Sequence, residues 1–162
     1  MKFIVDKSYW NLFPDSKLGV LLLKNIQNGE STDEIKSILK EANNEAKKYL
    51  TKEILSENPV IAVWREAYKK FKTKKGVRSS IEALLKRVNS GNPVSSINKF
   101  VDIYNSASLK YGLPCGAEDL DSFVGDLKLT ITQGGLYQMN YVILMMKVLF
   151  VVVLTGVMVL EL

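Results

Sequence analysis

The 162-residue chain contains no histidine. The commonest general base and the commonest metal ligand are therefore missing, so any catalysis must rest on carboxylates, hydroxyls, amides or a positioned water. A single cysteine, Cys115, excludes an intramolecular disulfide and any zinc site built from several cysteines. A reducing, cytoplasmic home follows from the same scarcity. With no imidazole to activate it, Cys115 reads as a buried inert thiol rather than a nucleophile. No metal and no cofactor are expected. Low-complexity linkers and internal repeats are lacking, and the opening MKFIVDKSYW has no apolar run long enough for a signal peptide.

What is present suits a globular domain: 47% of residues are hydrophobic and 24% charged. The formal charge of +5 suits a polyanionic partner. Positive charge is densest from Lys69 to Arg87, a helix end, a turn at Gly76 and a further helix. Lys69, Lys72, Lys74, Lys75 and Arg78 could grip phosphates there without reading sequence. A solubilising surface is the alternative, and the composition does not separate the two.

Periodicity supplies the elements. Lys2 to Val5 alternates as a short strand, and the continuous apolar run Leu18 to Leu23 reads as a buried strand. A helix capped by Ser31 or Thr32 is expected through about Leu50, carrying Ile35, Ile38, Leu39, Ala42 and Ala46 on one face. Asn58-Pro59 opens another, with Val60, Val63, Trp64, Ala67 and Phe71 on its apolar side. Ser79 or Ser80 starts a third, which buries Ile81, Leu84, Leu85 and Val88. Leu127 to Thr132 alternates as a half-buried strand. The fold class is α+β, a mixed or antiparallel sheet packed with several helices.

The stretch from Ile97 to Asp121 organises the rest. It reads as a helix capped by Ser95 or Ser96, stopped by Gly112 and Pro114, then an acidic loop. Phe100, Ile103, Tyr104, Ala107 and Tyr111 form an apolar arc, while Lys99, Ser106 and Lys110 form a wet face. Asn98, Asp102 and Asn105 make a third stripe. It is either a solvated margin of the helix or a row of amides and a carboxylate lining a half-buried pocket.

The pattern INxxVDxxNxxxLxxGxPxxAxDLD runs through this stretch. Its matching positions are Ile97, Asn98, Val101, Asp102, Asn105, Leu109, Gly112, Pro114, Ala117, Asp119, Leu120 and Asp121. It resembles the B3/B4 domain of the phenylalanyl-tRNA synthetase beta subunit. LFPDSKLGV (Leu12 to Val20), WREAYKKF (Trp64 to Phe71) and SSIEALLKRV (Ser79 to Val88) resemble free-standing relatives of that domain, so the likeness spans roughly Leu12 to Thr132. The resemblance implies a B3/B4-like fold that binds the acceptor end of an aminoacyl-tRNA and hydrolyses the ester of a wrong amino acid, acting in trans. A non-catalytic tRNA- or ligand-binding module, or an inactive truncated fragment, is the alternative. The expected partner is tRNA, not DNA and not a membrane. On this reading Asn98, Asp102 and Asn105 hold the amino acid's ammonium or the terminal ribose, and Ser108 and Glu118 contact substrate or water. Asn98 and Asn105 serve equally well as caps or braces, and Asp119 and Asp121 as ties of the loop. One departure matters: where the synthetase domain usually has a histidine and then, after the alanine, a bulky aromatic, this chain has Gly116 and Glu118. The synthetase's amino-acid specificity is therefore not carried over.

The domain is expected over residues 1–132, with a divergent hydrophobic tail over 133–162. From Tyr141 to Leu162 only Lys147 and Glu161 are charged. A membrane anchor, one or two buried strands, and an out-of-frame translation all compete for this tail. The last is favoured. Met145 to Leu162 can be encoded so that one restored base and a one-base shift read DDEGVVCRCFNWRDGVRT, similar to the acidic-then-NWR ending of free-standing B3/B4 proteins. The fold would then be incomplete at its C-terminus.

Overall fold

The computed structural model describes residues 2–73, 75–122, 124–131 and 148–155. In chain order the elements are β1 (Phe3–Val5), α1 (Lys7–Leu12), β2 (Lys17–Lys24), α2 (Asp33–Glu45), α3 (Pro59–Lys69), α4 (Ser80–Asn89), α5 (Lys99–Tyr111), β3 (Cys115–Asp119), β4 (Leu127–Leu129) and β5 (Val148–Thr155). The fold is α+β, as the periodicities indicate.

Local chemistry starts each helix. Thr32 caps α2 by accepting from the Ile35 N–H, and Asp33 and Glu34 in the first turn complement the helix dipole. Ser79 caps α4 in the same way through the Glu82 N–H. Pro59 occupies the first turn of α3, where its missing N–H costs nothing. Asn58 ahead of it is fully buried. Its side chain accepts from the Thr51 and Lys52 N–H groups and donates to the Leu55 carbonyl, closing the turn between α2 and α3.

The core lies among α2, α3, α4 and α5, around Leu39, Ala42, Ala46, Ile61, Ile81, Leu85, Val88, Val94 and Leu109. Burying Ile61, Ile81, Leu85 and Leu109 completely contributes about 1.5–3 kcal/mol each. On α3 the buried residue is Ile61, not the expected Val63, which is 52% exposed. The expected stripe of α3 lines a cavity beside α1, with Val60 and Trp64 also packed against the core. Ile38 of α2 is likewise exposed, because only half of that helix is covered. Asn43 on α2 donates to the Val94 carbonyl and accepts from its N–H, which fixes the chain entering α5.

Two small sheets flank the helices. β1 pairs in parallel with β4, Phe3 opposite Leu127. β5 pairs antiparallel with both β2 and β3, giving the order β2-β5-β3. Part of the apolar tail is thus a strand. One sheet is parallel and the other antiparallel, where a single mixed or antiparallel sheet is expected, and two further features differ from expectation. β2 is not a buried strand: Val20, Leu21 and Leu22 are about half exposed. A continuous apolar run indicates a strand without indicating that its faces are covered. The segment after Pro114 is not an acidic loop but β3, because β5 supplies hydrogen-bond partners for a sequence with little strand propensity of its own. The alternating segment from Leu127 narrows to three paired residues, and Thr132 lies outside the described residues. Among the described residues no helix is long and apolar enough to cross a membrane.

Candidate functional site

Helix α5 begins two residues later than its pattern suggests. Its cap is Asn98, not Ser95 or Ser96, and the Asn98 side chain accepts from the Val101 N–H at 3.0 Å. It ends at Gly112, whose φ of +67° is a left-handed conformation that L side chains rarely adopt. Space is short there too: a Cβ on Gly112 would lie 2.9 Å from both Tyr49 Cζ and Val60 Cγ2.

The helix is inverted relative to its expected polarity. Its buried residues are Asp102, Asn105, Ser106, Ser108 and Leu109. Ser106, expected to be wet, is buried and donates to the Asp102 carbonyl. On the expected apolar arc Ile103 is 49% and Tyr111 43% exposed. The reason is the Asp102 carboxylate. It accepts from the hydroxyls of Ser31 and Ser96, each at 2.5 Å, and from the Ile97 N–H at 2.8 Å. Two loops thereby converge on one fully buried group, and a third tie runs from the Lys99 N–H to the Gly29 carbonyl. Burial works against the charged form of Asp102. The hydrogen bonds from Ser31, Ser96 and the backbone of Ile97 and Asn98 outweigh it and hold the carboxyl below its ordinary range.

At the other end of α5 the Ser108 hydroxyl donates to the Leu113 carbonyl at 2.5 Å, bracing the turn into β3. Burial pushes the Cys115 thiol up to about 11, with a hydrogen bond from Ser108 offsetting part of that rise. Cys115 is therefore no thiolate near neutral pH. Asn105 is nearly buried, yet its amide has no hydrogen-bond partner among the described residues.

Glu118 on β3 stands apart from these. It lines a pocket of about 300 Å³ with Phe3, Ser80, Pro114, Cys115, Gly116 and Lys128. Desolvation raises its carboxyl above the usual carboxylate range. Tyr104 of α5 is also raised, by burial first and then by the charges of Glu118 and Asp102. A Cβ built on Gly116 meets no atom within 4 Å, so the pocket has room where related domains carry a histidine. The structure thus places Asn98, Asp102 and Ser108 in hydrogen bonds within the fold, and leaves Asn105 and Glu118 with unspent polar capacity.

The basic segment divides in the same way. Lys69 donates to Glu66 at 2.5 Å. Arg78 Nε lies 3.3 Å from Glu82, which Arg65 also grips through two nitrogens at 2.7 and 3.2 Å. Lys72 and Lys75 are exposed, and Lys74 lies outside the described residues. Glu82, with a side chain only 2% exposed, reads in the sequence as part of the helix start with Ser79 or Ser80, which gives no sign of its two arginine partners. Also missed was a larger cavity of about 600 Å³ lined by aromatic residues of α1 and α3. Among the described residues no group of acidic, cysteine or histidine side chains could hold a metal ion.

A family model described as "B3/4 domain" matches residues 63–145. The match starts within α3, takes in α4, α5, β3 and β4, and reaches Met145. No curated protein and no solved structure matches the chain.

Proposed function

We propose that this chain, which belongs to the B3/4 domain family, binds the acceptor end of aminoacyl-tRNA and hydrolyses the ester of a mischarged amino acid in trans. The observation that carries the reading is Glu118, a half-buried carboxylate raised by desolvation in the wall of a pocket that β3 shares with β1 and β4. A carboxyl moved toward neutral pH is suited to take a proton from an attacking water. An aminoacyl ester is already activated, so a positioned water and donors for the developing oxyanion suffice. Asn105, a residue 8% exposed whose amide makes no hydrogen bond among the described residues, is the proposed substrate contact on α5. Lys72 and Lys75 are the proposed phosphate contacts, joined by Lys74, while Lys69 and Arg78 must first leave Glu66 and Glu82.

A second reading, a non-catalytic tRNA- or ligand-binding module or an inactive fragment, is favoured by a different observation. Asn98, Asp102 and Ser108 are committed to bonds that build the fold. It is favoured too by the tail, for which we keep the proposal that residues 133–162 diverge from the domain of residues 1–132 and are out of frame. The family match stops at Met145, where the rewritten run begins, but it also covers residues 133–145, so the match itself sets divergence no earlier than the rewritten run.

One comparison tests both. Residues 1–162 are set against a chain in which everything after Thr132 is replaced by the in-frame continuation, on a panel of mischarged tRNAs. The chain as written should be poorly soluble and negligibly active, and the replacement should restore both properties. Glu118→Gln in the restored chain should then lower hydrolysis by about 100-fold, the lower end of general-base contributions. Activity unaffected by Glu118→Gln removes the carboxylate from the mechanism. Full activity of the unaltered chain ends the frameshift reading.

A further inference from the structure

We infer that the larger cavity, between α1, α3 and the end of β4, is a binding site for a nucleotide, with its base stacked on the cavity's rings. Its volume of about 600 Å³ falls within the range of small-ligand sites. Tyr9, Phe13, Trp64, Tyr68 and Phe71 line it. Two pairs of those rings meet edge to face, Phe13 and Phe71 at 6.2 Å and 86° and Tyr68 and Phe71 at 5.8 Å and 81°, while Tyr9 and Phe13 are tilted by 42° at 5.3 Å. None of these pairs is stacked in parallel, which leaves ring faces for a planar guest. An apolar aromatic cavity alone would accept many hydrophobic molecules.

The charge at its edge selects among them. Lys70 lines the cavity and carries its ammonium 5.3 Å from the Phe13 ring centre. Lys72 and Lys75 follow on the exposed segment directly after α3. Glu66, the cavity's carboxylate, is already taken by Lys69. The surplus charge is therefore positive and lies beside aromatic faces. A base that stacks and a phosphate that meets the lysines satisfy both features at once. Two sources supply such a guest, a free nucleotide or the last nucleotide of an RNA strand. Only the second source rests on the tRNA reading above.

The chain carries two tryptophans, Trp10 and Trp64. Trp10→Phe therefore makes Trp64 the sole reporter, and emission can be titrated on the full chain at submicromolar concentration. AMP should quench it, as should a single-stranded RNA ending in adenosine, whereas inorganic phosphate should not. Phe71→Ala should weaken binding by about 5- to 100-fold, the span of one base–aromatic stack. Lys70→Glu should weaken it and reduce its dependence on salt. Both variants must keep the far-ultraviolet circular dichroism of the parent. The conservative Phe71→Leu, which keeps apolar volume without a π face, should bind as poorly as Phe71→Ala. Equal affinity for AMP and RNA identifies a free nucleotide as the guest, and much tighter RNA identifies a strand end. Quenching by neither, or affinities unchanged in Phe71→Leu and Lys70→Glu, overturns the inference. Nucleotide binding without deacylation would leave it standing and remove the hydrolytic reading; deacylation without quenching would do the reverse.

Discussion

Replacing Asp102 by alanine should unfold a large part of this chain's stability margin. The carboxylate accepts from the Ser31 hydroxyl, the Ser96 hydroxyl and the Ile97 N–H. Each buried donor left without an acceptor costs about 1–3 kcal/mol. Ser96 and Ile97 are both exposed, Ile97 by 68%, and regain water cheaply, whereas Ser31 is 7% exposed. The expected loss for Asp102→Ala is therefore roughly 2–4 kcal/mol, against a total of about 5–15 kcal/mol for a typical domain. Asp102→Asn keeps one acceptor oxygen, and the serine hydroxyls can turn to accept from its amide, so about 1–2 kcal/mol is expected. Ser96→Ala should cost less than about 1 kcal/mol. Urea unfolding followed by circular dichroism at pH 7 measures all three. A second signature is the pH dependence. The folded-state pKa of Asp102 is depressed, so its ionic contribution is present above the unfolded carboxylate's pKa of about 4 and is lost as pH falls from there through the folded value. The gap between the parent and Asp102→Asn should narrow only in that acid window. Asp102→Ala within about 1 kcal/mol of the parent would refute the clamp. Activity lost in Asp102→Ala would report the fold, and Asp102→Asn is the variant that reports the site.

Gly112→Ala should cost about 2–3 kcal/mol, combining the left-handed backbone with contacts at 2.9 Å, and thermal unfolding will read it. Asparagine, usually tolerated in such caps, should be no better here, because Tyr49 and Val60 occupy the space. Arg65→Ala should destabilise by about 2–3 kcal/mol, less than a lone buried pair because Arg78 still faces Glu82, and Arg65→Met with Glu82→Leu should recover most of that loss in denaturant titrations. Alkylation of Cys115 by iodoacetamide should be slow at pH 8, where a thiol near 11 is about one-thousandth ionised, and should rise roughly tenfold per pH unit; a rate like that of free cysteine would contradict its burial.

The helices were legible because their starts are written in short-range chemistry. Thr32, Pro59 and Ser79 act within one turn of themselves. The orientation of α5 was not, since its polar side is buried to serve two loops that approach from elsewhere in the chain. Nothing near Asp102 in the sequence names Ser31 as its partner. The sequence offers Asn98 as a pocket residue or as a brace of the loop from Pro114 to Asp121, and the structure uses it instead to cap α5 itself. β3 was read as a loop because CGAED neither alternates nor favours extended structure, and its partner comes some thirty residues later. The aromatic cavity stayed hidden for a related reason. Trp64 and Phe71 fit a core stripe at helical spacing, and the rings of α1 that face them lie more than 50 residues away. Glu118 was legible as a departure from the family pattern, but its half-burial and raised pKa depend on neighbours that packing supplies.

The position of β5 between β2 and β3 sets the order in which the molecule can be assembled. Every residue of β2 has its partner more than 120 positions further on. As the chain leaves the ribosome, β2 appears early and must wait, half exposed and apolar, until residues 148–155 have emerged. The helices around Leu109 have their partners much sooner. Synthesis therefore separates a helical body that can condense early from a sheet that can close only once β5 is out. In the interval, the cell's chaperones and the neighbouring chains of a polysome meet an unpaired apolar edge. Slowing elongation lengthens that exposure, whereas changes to the helical core leave its duration unchanged.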